Sequence, residues 1–380
     1  MSAATVTIPM APATKGLRID RPAMIKIVPR TIKSQCGVEM AVWKDRKLTS
    51  EIESLSSEAH RAKLRQAASD FEALIKAVYP DAEITMTGSF AAGVDLPTSD
   101  LDFSLSIPSL QGDTVDKLLS MRRRLQHRRH FSEHWVTRGM VPVLYMMHSG
   151  TRIDIDVTID NEPPKRNTKL LIDSGLLDSR FQTLCRAVKT WASKSGVENS
   201  REGRLNSFSV CLLLIHYLQQ VGVLPADLAG TQWRSANQDS LGALFYGFMR
   251  YFSRFDFRTK RISVRLGKAL EKDPLASLIV VEDPYLNPEF NCARTVRQFD
   301  IFERILEEFR EAERSIRETH RLGISDYRNR IEEEGKERDW QILEWEWSAT
   351  PETFWEEEKL VGRKRAWPKV VRADGSEVRN

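Results

Sequence analysis

The sequence lacks three features that would assign it to a simple class. Its four cysteines are scattered and contain no Cys-x-x-Cys pair, which argues against a disulfide framework or a zinc site and favours reduced intracellular thiols. Its longest apolar run, residues 210–215, is too short for a membrane-spanning helix, so we expect no membrane partner. Its formal net charge is only +4, which permits a nucleic-acid partner without requiring one.

No internal repeat, low-complexity segment, RNA-recognition motif or zinc finger is visible either. At 380 residues the chain is long enough for two or three domains with sizeable cores. The first nineteen residues contain no acid, which suits either a mitochondrial transit segment or a disordered terminus. Two prolines at 163–164 mark a domain boundary. We predict four regions: an N-terminal segment over 1–44 packed partly on the central domain, a catalytic domain over 45–160, a helical domain over 161–300, and a charged, Trp-rich helical extension over 301–380.

Hydrophobic periodicity gives a coarse secondary structure. It predicts a first helix over 45–78, ended by Pro80. Four strands and a basic helix follow, the strands over 82–87, 102–107, 141–147 and 152–160 and the helix over 115–134. The later pattern is helical over 169–195 and 207–220, through the 240s and 260s, and over 300–330 with a break at Gly323. Five tryptophans of the tail are either packing anchors or a base-stacking platform: Trp340, Trp345, Trp347, Trp355 and Trp367.

A Gly-Ser pair followed by an Asp-x-Asp motif is the most informative feature of the chain. Gly88 and Ser89 follow the first predicted strand, and Asp100 and Asp102 precede the next apolar run. Residues two apart share one face of a strand, and two adjacent carboxylates repel each other unless a divalent cation lies between them. The small turn lets N–H groups and a hydroxyl approach a triphosphate. The motif indicates metal-dependent phosphoryl transfer, the alternative being a polar turn between strands.

A two-metal nucleotidyl transfer needs a third carboxylate. In the predicted strand over 152–160, β-branched residues alternate with polar ones, so Asp154, Asp156 and Asp160 share the outward face. The spacing alone does not choose among these three acids.

Polar residues further along the chain indicate a second layer of phosphate contacts, beginning with Asn167 and Thr168. Lys189 lies in a helical segment, from which it could reach phosphate as a point charge or remain exposed. Ser207 begins a helix, either as a phosphate contact or as an ordinary N-cap. Phe208 could stack on a nucleobase or fill the core.

The basic helix predicted over 115–134 carries five arginines with three interleaved histidines. The spacing of His127, His130 and His134 would place them on one helical face. This face is either solvated, a metal site, or a surface for phosphate or RNA. If it binds RNA, Arg122, Arg124 and Arg128 are the expected contacts.

The string from Gly88 to Asp102 resembles the catalytic signature of the DNA polymerase β-like nucleotidyltransferase superfamily. Within it, further segments resemble the non-canonical poly(A) polymerase and RNA terminal uridylyltransferase family. The first is the spacing of eleven residues from Asp156 to Asn167-Thr168, and the second is Lys-x-Trp-Ala at residues 189–192. The third is Asn-Ser-Phe at residues 206–208. The fourth is a nucleotide-recognition motif in two parts, at residues 282–285 and 291–296. The resemblance covers residues 88–296.

This resemblance implies an α+β fold, in which a polymerase β-like palm with a small mixed sheet and helices packs on a mainly helical central domain. The nucleotide would lie in the cleft between them. Asp100, Asp102 and Asp156 would be catalytic and hold two Mg²⁺ ions, with Mn²⁺ as a substitute. The implied nucleotide-binding residues are Gly88, Ser89, Ser99, Asn167, Thr168, Lys189, Ser193, Lys194, Ser207, Phe208, Asp283, Glu289 and Arg294.

The chain departs from the family pattern at three places. Ser193 stands where a second lysine is usual, with Lys194 beside it, and Phe208 replaces a stacking tyrosine. Leu286 stands where many uridylyltransferases carry glutamate, so Glu289 is the candidate substitute.

The resemblance implies transfer of UMP from UTP to the 3′ end of a single-stranded RNA, with release of pyrophosphate. The alternatives are a poly(A) polymerase that uses ATP and an inactive RNA-binding scaffold. The size of the chain is similar to that of the compact uridylyltransferases of kinetoplastid mitochondria. That similarity implies an editosome-like complex, a role in RNA editing and a mitochondrial location.

Overall fold

A five-stranded mixed sheet organises the first half of the described chain. The computed structural model describes residues 42–322, apart from 56, 127, 129, 140, 229–232 and 286–289. The strands are β1 (Glu83–Thr87), β2 (Leu101–Ser106), β3 (Phe131–Val136), β4 (Leu144–His148) and β5 (Ile153–Ile159), in the order β1-β2-β5-β4-β3. Strands β2 and β5 are parallel, and the other neighbours are antiparallel.

Two long helices cover the apolar face of this sheet. The first helices of the described residues are α1 (Val42–Glu53), α2 (Glu58–Val78), α3 (Gly88–Ala91) and α4 (Thr114–Leu125). Helix α2 begins at Ser57, whose hydroxyl caps the N–H of His60. Phe71 of α2 and Phe103 of β2 meet in the core beneath the sheet, where α4 also packs. The opposite face of the sheet carries the polar side chains of β2 and β5.

The rest of the described chain is mainly helical and has a core of its own. Its helices are α5 (Glu162–Leu177), α6 (Arg180–Lys194), α7 (Ser207–Gln220), α8 (Leu241–Phe252) and α9 (Phe299–Thr319), with a hairpin of β6 (Lys260–Ser263) and β7 (Lys268–Glu271). Helix α7 is apolar on all sides because its neighbours surround it. Leu48 and Ile52 of α1 belong to this second core. The palm-and-helical architecture predicted from the sequence is confirmed.

Several predicted element boundaries were wrong. The helix predicted over 45–78 is two helices, and the one predicted over 169–195 is also two, separated at Asp178. The carboxylate of Asp178 accepts a hydrogen bond from the N–H of Arg180, which starts a new helix there. Helices were predicted through the 260s, but that region forms the β6–β7 hairpin. The prolines at 163–164 lie in the first turn of α5, where their missing N–H groups cost nothing.

The basic helix predicted over 115–134 ends at Leu125, which overturns the shared histidine face. The residues after Leu125 form a turn and then strand β3, because this segment has an alternating pattern of side chains and pairs with β4. His134 therefore lies on a strand, and His127 lies outside the described residues. Helix α9 ends at Thr319, where His320 adopts a left-handed conformation. Gly323, the tail tryptophans and the segment over 1–41 also lie outside the described residues. None of the described helices is long and apolar enough to cross a membrane.

Candidate active site

The pairing of β2 with β5 brings two of the predicted carboxylates together. Asp102 and Asp156 are direct partners in the parallel register, and both point away from the apolar core. Asp100 lies two residues before Asp102, next to the start of β2. Asp154 lies on the same face of β5 but is exposed, whereas Asp156 is half-buried. Asp160 lies beyond the end of β5 and pairs with Lys117 at 3.0 Å.

Burial and mutual repulsion raise the pKa values of these carboxyl groups. Burial first, and then the charge of Asp100, raise the pKa of Asp102 to about 7. Burial and the charges of Asp100, Asp102 and Asp154 raise the pKa of Asp156 to about 8, with Arg201 opposing. Burial also raises the pKa of Asp100. A cation between them would remove much of this repulsion.

These carboxylates suit a divalent cation of the Mg²⁺ type. The donor set is all oxygen, as hard cations require. Within the described part of the chain, no three His, Cys, Asp or Glu side chains form a metal site by themselves. Mg²⁺ usually takes only one or two carboxylates and completes its octahedral shell with water and substrate phosphates. An open carboxylate set fits an ion that arrives with a nucleotide.

The turn before α3 fits closely against the carboxylates. Gly88 has φ +76°, and a Cβ at this position would lie 1.9 Å from Oδ2 of Asp102. Only glycine allows this approach. The N–H of Gly88 donates to Oγ1 of Thr168 at 2.9 Å, and that hydroxyl donates to the carbonyl of Pro164. Thr168 thus fixes the turn to helix α5. Asn167, beside it, is half-buried.

Ser89 and Ser99, ten residues apart in sequence, meet at the same turn. Their Oγ atoms lie 3.1 Å apart, and Oγ of Ser99 accepts the N–H of Leu96. The two hydroxyls border the carboxylates because α3 folds directly back towards the start of β2. A cradle of small hydroxyl residues beside carboxylates is suited to phosphate oxygens.

Lys189 is buried, not exposed. It is only 5% exposed, and its Nζ donates to the carbonyl of Val94 at 3.1 Å. Its charge acts to lower the pKa values of Asp100 and Asp102, which burial raises. Arg186, one turn earlier on α6, donates to the carbonyl of Gly93 at 2.6 Å. Helix α6 therefore holds the loop after α3 and brings one cation to the carboxylates.

The start of α7 faces the same cleft. Asn206 is its N-cap and accepts the N–H of Ser209 at 2.8 Å, which leaves Ser207 in the first turn. Burial raises the pKa of Glu198, whereas the charge of Lys189 and a hydrogen bond with Ser207 act to lower it. Phe208 is half-buried against the helical core. Ser207 is therefore not the N-cap itself, and its hydroxyl remains near the Lys189 side of the cleft.

The predicted nucleotide-recognition motif is a compact turn. Asp283 is buried, and its Oδ1 accepts the N–H of Tyr285 at 2.8 Å while Oδ2 faces the thiol of Cys292 at 3.7 Å. Arg294 is exposed and its guanidinium lies 4.7 Å from the centroid of Phe290. Leu286 and Glu289 lie outside the described residues. Base recognition by Asp283, Glu289 and Arg294 stays a prediction.

Other predicted contacts lie further from the carboxylates. Ser193 and Lys194 are exposed at the end of α6. The predicted RNA contacts belong to α4 or to the turn after it, and α4 packs on the face of the sheet opposite Asp156. The Nε of Arg122 donates to the carbonyl of His134, and the guanidinium of Arg124 lies over the ring of Tyr79. Arg128 is exposed. Their role in RNA binding stays a prediction.

Sequence reasoning missed several basic residues around the carboxylates. A polar cavity of about 290 Å³ opens beside Asp100, and His60, Lys63 and Arg152 bring basic groups to it. His60 also makes a hydrogen bond to the carbonyl of Ser99 at 3.1 Å. Arg201 reaches the site from a short 3₁₀ helix, Ser200–Glu202, between α6 and α7. None of these residues lies in a motif, because they come from three separate parts of the chain: helix α2, the turn before β5 and the short 3₁₀ helix.

Comparisons with known proteins agree with this geometry. Residues 45–172 match the family model described as the central palm domain of mitochondrial-like poly(A) RNA polymerase, and residues 240–287 match that of the Cid1 family poly A polymerase. Poly(A) RNA polymerase GLD2-A of Xenopus laevis is 28% identical over 281 residues, covering 65% of this chain and 55% of that protein. Terminal uridylyltransferase 7 of Homo sapiens is 24% identical over 257 residues, covering 57% of this chain and 17% of its own length.

The fold is also that of solved structures. A structure of the Cid1 poly(U) polymerase with MgGTP bound superposes with a TM-score of 0.65 at 24% identity, covering 72% of this chain and 94% of that one. The matched region spans about half the length of the GLD2 relative.

The chain is therefore similar to the non-canonical poly(A) and poly(U) polymerases, over a palm at residues 45–172 and a second segment at residues 240–287.

Proposed function

We propose that this protein transfers nucleotides to the 3′ end of single-stranded RNA, with UTP as the donor and pyrophosphate as the leaving group. The observation that carries the proposal is the β2–β5 register, which places Asp102 beside Asp156 next to the Gly88 turn. The same arrangement argues against an inactive scaffold, because paired half-buried carboxylates are costly unless they are used.

The chain's own residues divide the work as follows. The hydroxyls of Ser89 and Ser99 and the cation of Lys189 receive the triphosphate, and Asp156 orients the attacking 3′-hydroxyl. The attack forms a bond from that oxygen to the α-phosphorus, breaks the bond to pyrophosphate and releases the 3′-hydroxyl proton to water. When bound, two Mg²⁺ ions on Asp100, Asp102 and Asp156 would supply the charge stabilisation that this transfer needs. Mn²⁺ has the same preference for oxygen ligands and would substitute.

ATP is the second candidate donor. Similarity to GLD2 poly(A) polymerases and the presence of Leu286 where many uridylyltransferases carry glutamate both favour it. The two bases differ at one edge, where uracil has a 4-oxo group and adenine an amino group. A single well-placed hydrogen bond to that edge would discriminate by ~1–3 kcal/mol.

The proposal is tested by extension of a labelled single-stranded RNA with each of the four nucleoside triphosphates separately, in Mg²⁺ and in EDTA. We expect extension with UTP in Mg²⁺ and none in EDTA. Extension with ATP alone would move the protein to the poly(A) branch. A folded chain that binds nucleotide but extends nothing would contradict the enzymatic proposal and favour a scaffold.

The predicted mitochondrial location and editosome-like partners remain proposals that rest on the N-terminal composition and the size of the chain. Imaging of the full chain fused to a fluorescent protein tests the first, and co-purification from the native cell tests the second. A diffuse fluorescence outside mitochondria would contradict the location.

A further inference from the structure

The catalytic row of side chains continues across the sheet into an aromatic pair. Asp102 pairs with Asp156, Asp156 with Tyr145, and Tyr145 with Trp135, on strands β2, β5, β4 and β3 in turn. Residues that are direct partners on neighbouring strands point to the same face of a sheet. The two carboxylates and the two rings therefore form one line on the face that α2 and α4 leave uncovered.

The two rings are stacked on each other and open to solvent at the edge of the sheet. Their centroids lie 5.3 Å apart at an interplanar angle of 18°. Trp135 is 49% exposed although it is one of the largest apolar side chains, and Tyr145 is half-buried. A register shift between Ser132 and Trp135 interrupts the β3–β4 pairing just before this position. Such irregularities re-aim side chains next to functional sites.

The spacing of the row fits a nucleic-acid chain that ends at Asp156. Neighbouring strands lie ~4.8 Å apart, so Tyr145 is one strand and Trp135 two strands from the carboxylate. A terminal ribose whose 3′-hydroxyl reaches Asp156 would carry its own base, or the preceding one, onto these rings.

We propose that Tyr145 and Trp135 form a stacking platform for the last bases of the RNA acceptor. This inference rests on the proposed function, since it takes an RNA 3′ end as the acceptor. Stacking on aromatic rings is tolerant of base identity, which suits an enzyme that extends many RNA ends. Direct continuity with the catalytic carboxylates favours RNA over a protein partner as the occupant.

The platform is tested by a double-mutant cycle between the protein ring and the RNA base. The affinity of the full chain for a fluorescent single-stranded RNA is measured by anisotropy in EDTA, where no extension occurs. We expect Trp135→Ala to weaken binding roughly 5- to 150-fold, the range found for loss of one base–aromatic stack. Trp135→Phe should retain most of the affinity, and Trp135→Leu should resemble the alanine variant, because leucine is apolar but has no ring. Leu275→Ala, at a 95% exposed apolar residue, is the control and should change nothing.

The second arm of the cycle uses RNA whose last two nucleotides lack bases. The wild-type chain should bind this RNA more weakly, and Trp135→Ala should cause no further loss. If Trp135→Ala weakens the binding of intact and abasic RNA equally, the platform is overturned. It is also overturned if Trp135→Ala leaves the RNA affinity unchanged. The latter result would point to a protein partner at this face. The abasic arm on the wild-type chain needs no variant, so unchanged binding there overturns the platform even if a variant fails to fold.

A chain that neither binds RNA nor extends it would refute the proposed function itself, whereas a chain that extends RNA and whose RNA affinity is unchanged by Trp135→Ala would refute only the platform.

Discussion

Replacement of Asp156 by asparagine should stabilise the metal-free protein while it abolishes activity. Asp156 has its pKa raised to about 8, from the 3.8 of an unperturbed aspartate, because it is buried beside other carboxylates. The folded state therefore holds a proton at pH values where the unfolded state has released it. The stability associated with this proton is fully present below pH 3.8 and is lost as the pH rises towards about 8.

The magnitude follows from the size of the shift. At 1.36 kcal/mol per unit, a rise from 3.8 to about 8 corresponds to an upper limit of ~6 kcal/mol at alkaline pH. Asparagine removes the charge but keeps a buried polar group, and the remaining carboxylates relax once one charge is gone. We therefore expect a net gain of about 2–4 kcal/mol at pH 8.5, shrinking towards zero near pH 4.

Urea unfolding in EDTA at a series of pH values measures this gain. Asp154→Asn is the matched control, because Asp154 lies on the same strand and face but is exposed, and its variant should change stability much less. Addition of Mg²⁺ should raise the stability of the wild-type chain at pH 8.5 and narrow its difference from Asp156→Asn. An Asp156→Asn variant that is less stable than wild type at pH 8.5 in EDTA would refute the reasoning.

Three further predictions come from other parts of the molecule. Gly88→Ala should lower the rate of RNA extension at least about 100-fold without unfolding the chain, because the new Cβ displaces the carboxylate of Asp102; a near-normal rate would refute this. Fully buried His216 has its pKa lowered by burial to about 4, so the wild-type chain should lose up to ~3 kcal/mol of stability as the pH falls from 6.5 towards 4. His216→Phe should remove that loss in urea titrations, and an unchanged pH profile would contradict it. Charge reversal across Arg122, Arg124 and Arg128 should raise the KM for RNA but not for the nucleotide if α4 and the turn after it bind RNA, and an unchanged RNA KM would exclude that surface.

The sequence predicted correctly those helices and strands whose local hydrophobic pattern matches the way they are buried in the folded protein. Helix α7 begins at Ser207 and ends at Gln220 as predicted, because an apolar run with an N-cap before it is helical in any buried setting. The alternation in β5 likewise gave the correct inward and outward faces, and the register then placed Asp156 beside Asp102. Local periodicity predicted the wrong structure for β3, because its Arg- and His-rich surroundings are typical of a helix. Pairing with β4 makes this segment a strand instead.

The candidate site was predictable only where motifs carry it. The burial of Lys189 depends on the loop at Val94, which lies 95 residues earlier in the chain, and no local pattern reports it. The same holds for Arg201 and for the Tyr145–Trp135 stack, which exist only because separate elements meet across the cleft or the sheet. Long-range pairing is the information that a single sequence does not display.

The most direct test of the proposed catalytic set is a single-turnover extension of RNA by Asp156→Asn and Asp154→Asn, measured side by side in Mg²⁺ with the preferred nucleotide. We expect Asp156→Asn to lose at least about 10²- to 10³-fold in rate, since Asp156 lies beside Asp102 in the β2–β5 register. Asp154→Asn, at an exposed residue on the same face, should stay within a few-fold of wild type. The reverse pattern would show that the structure's half-buried acid is not the catalytic one and would contradict the account.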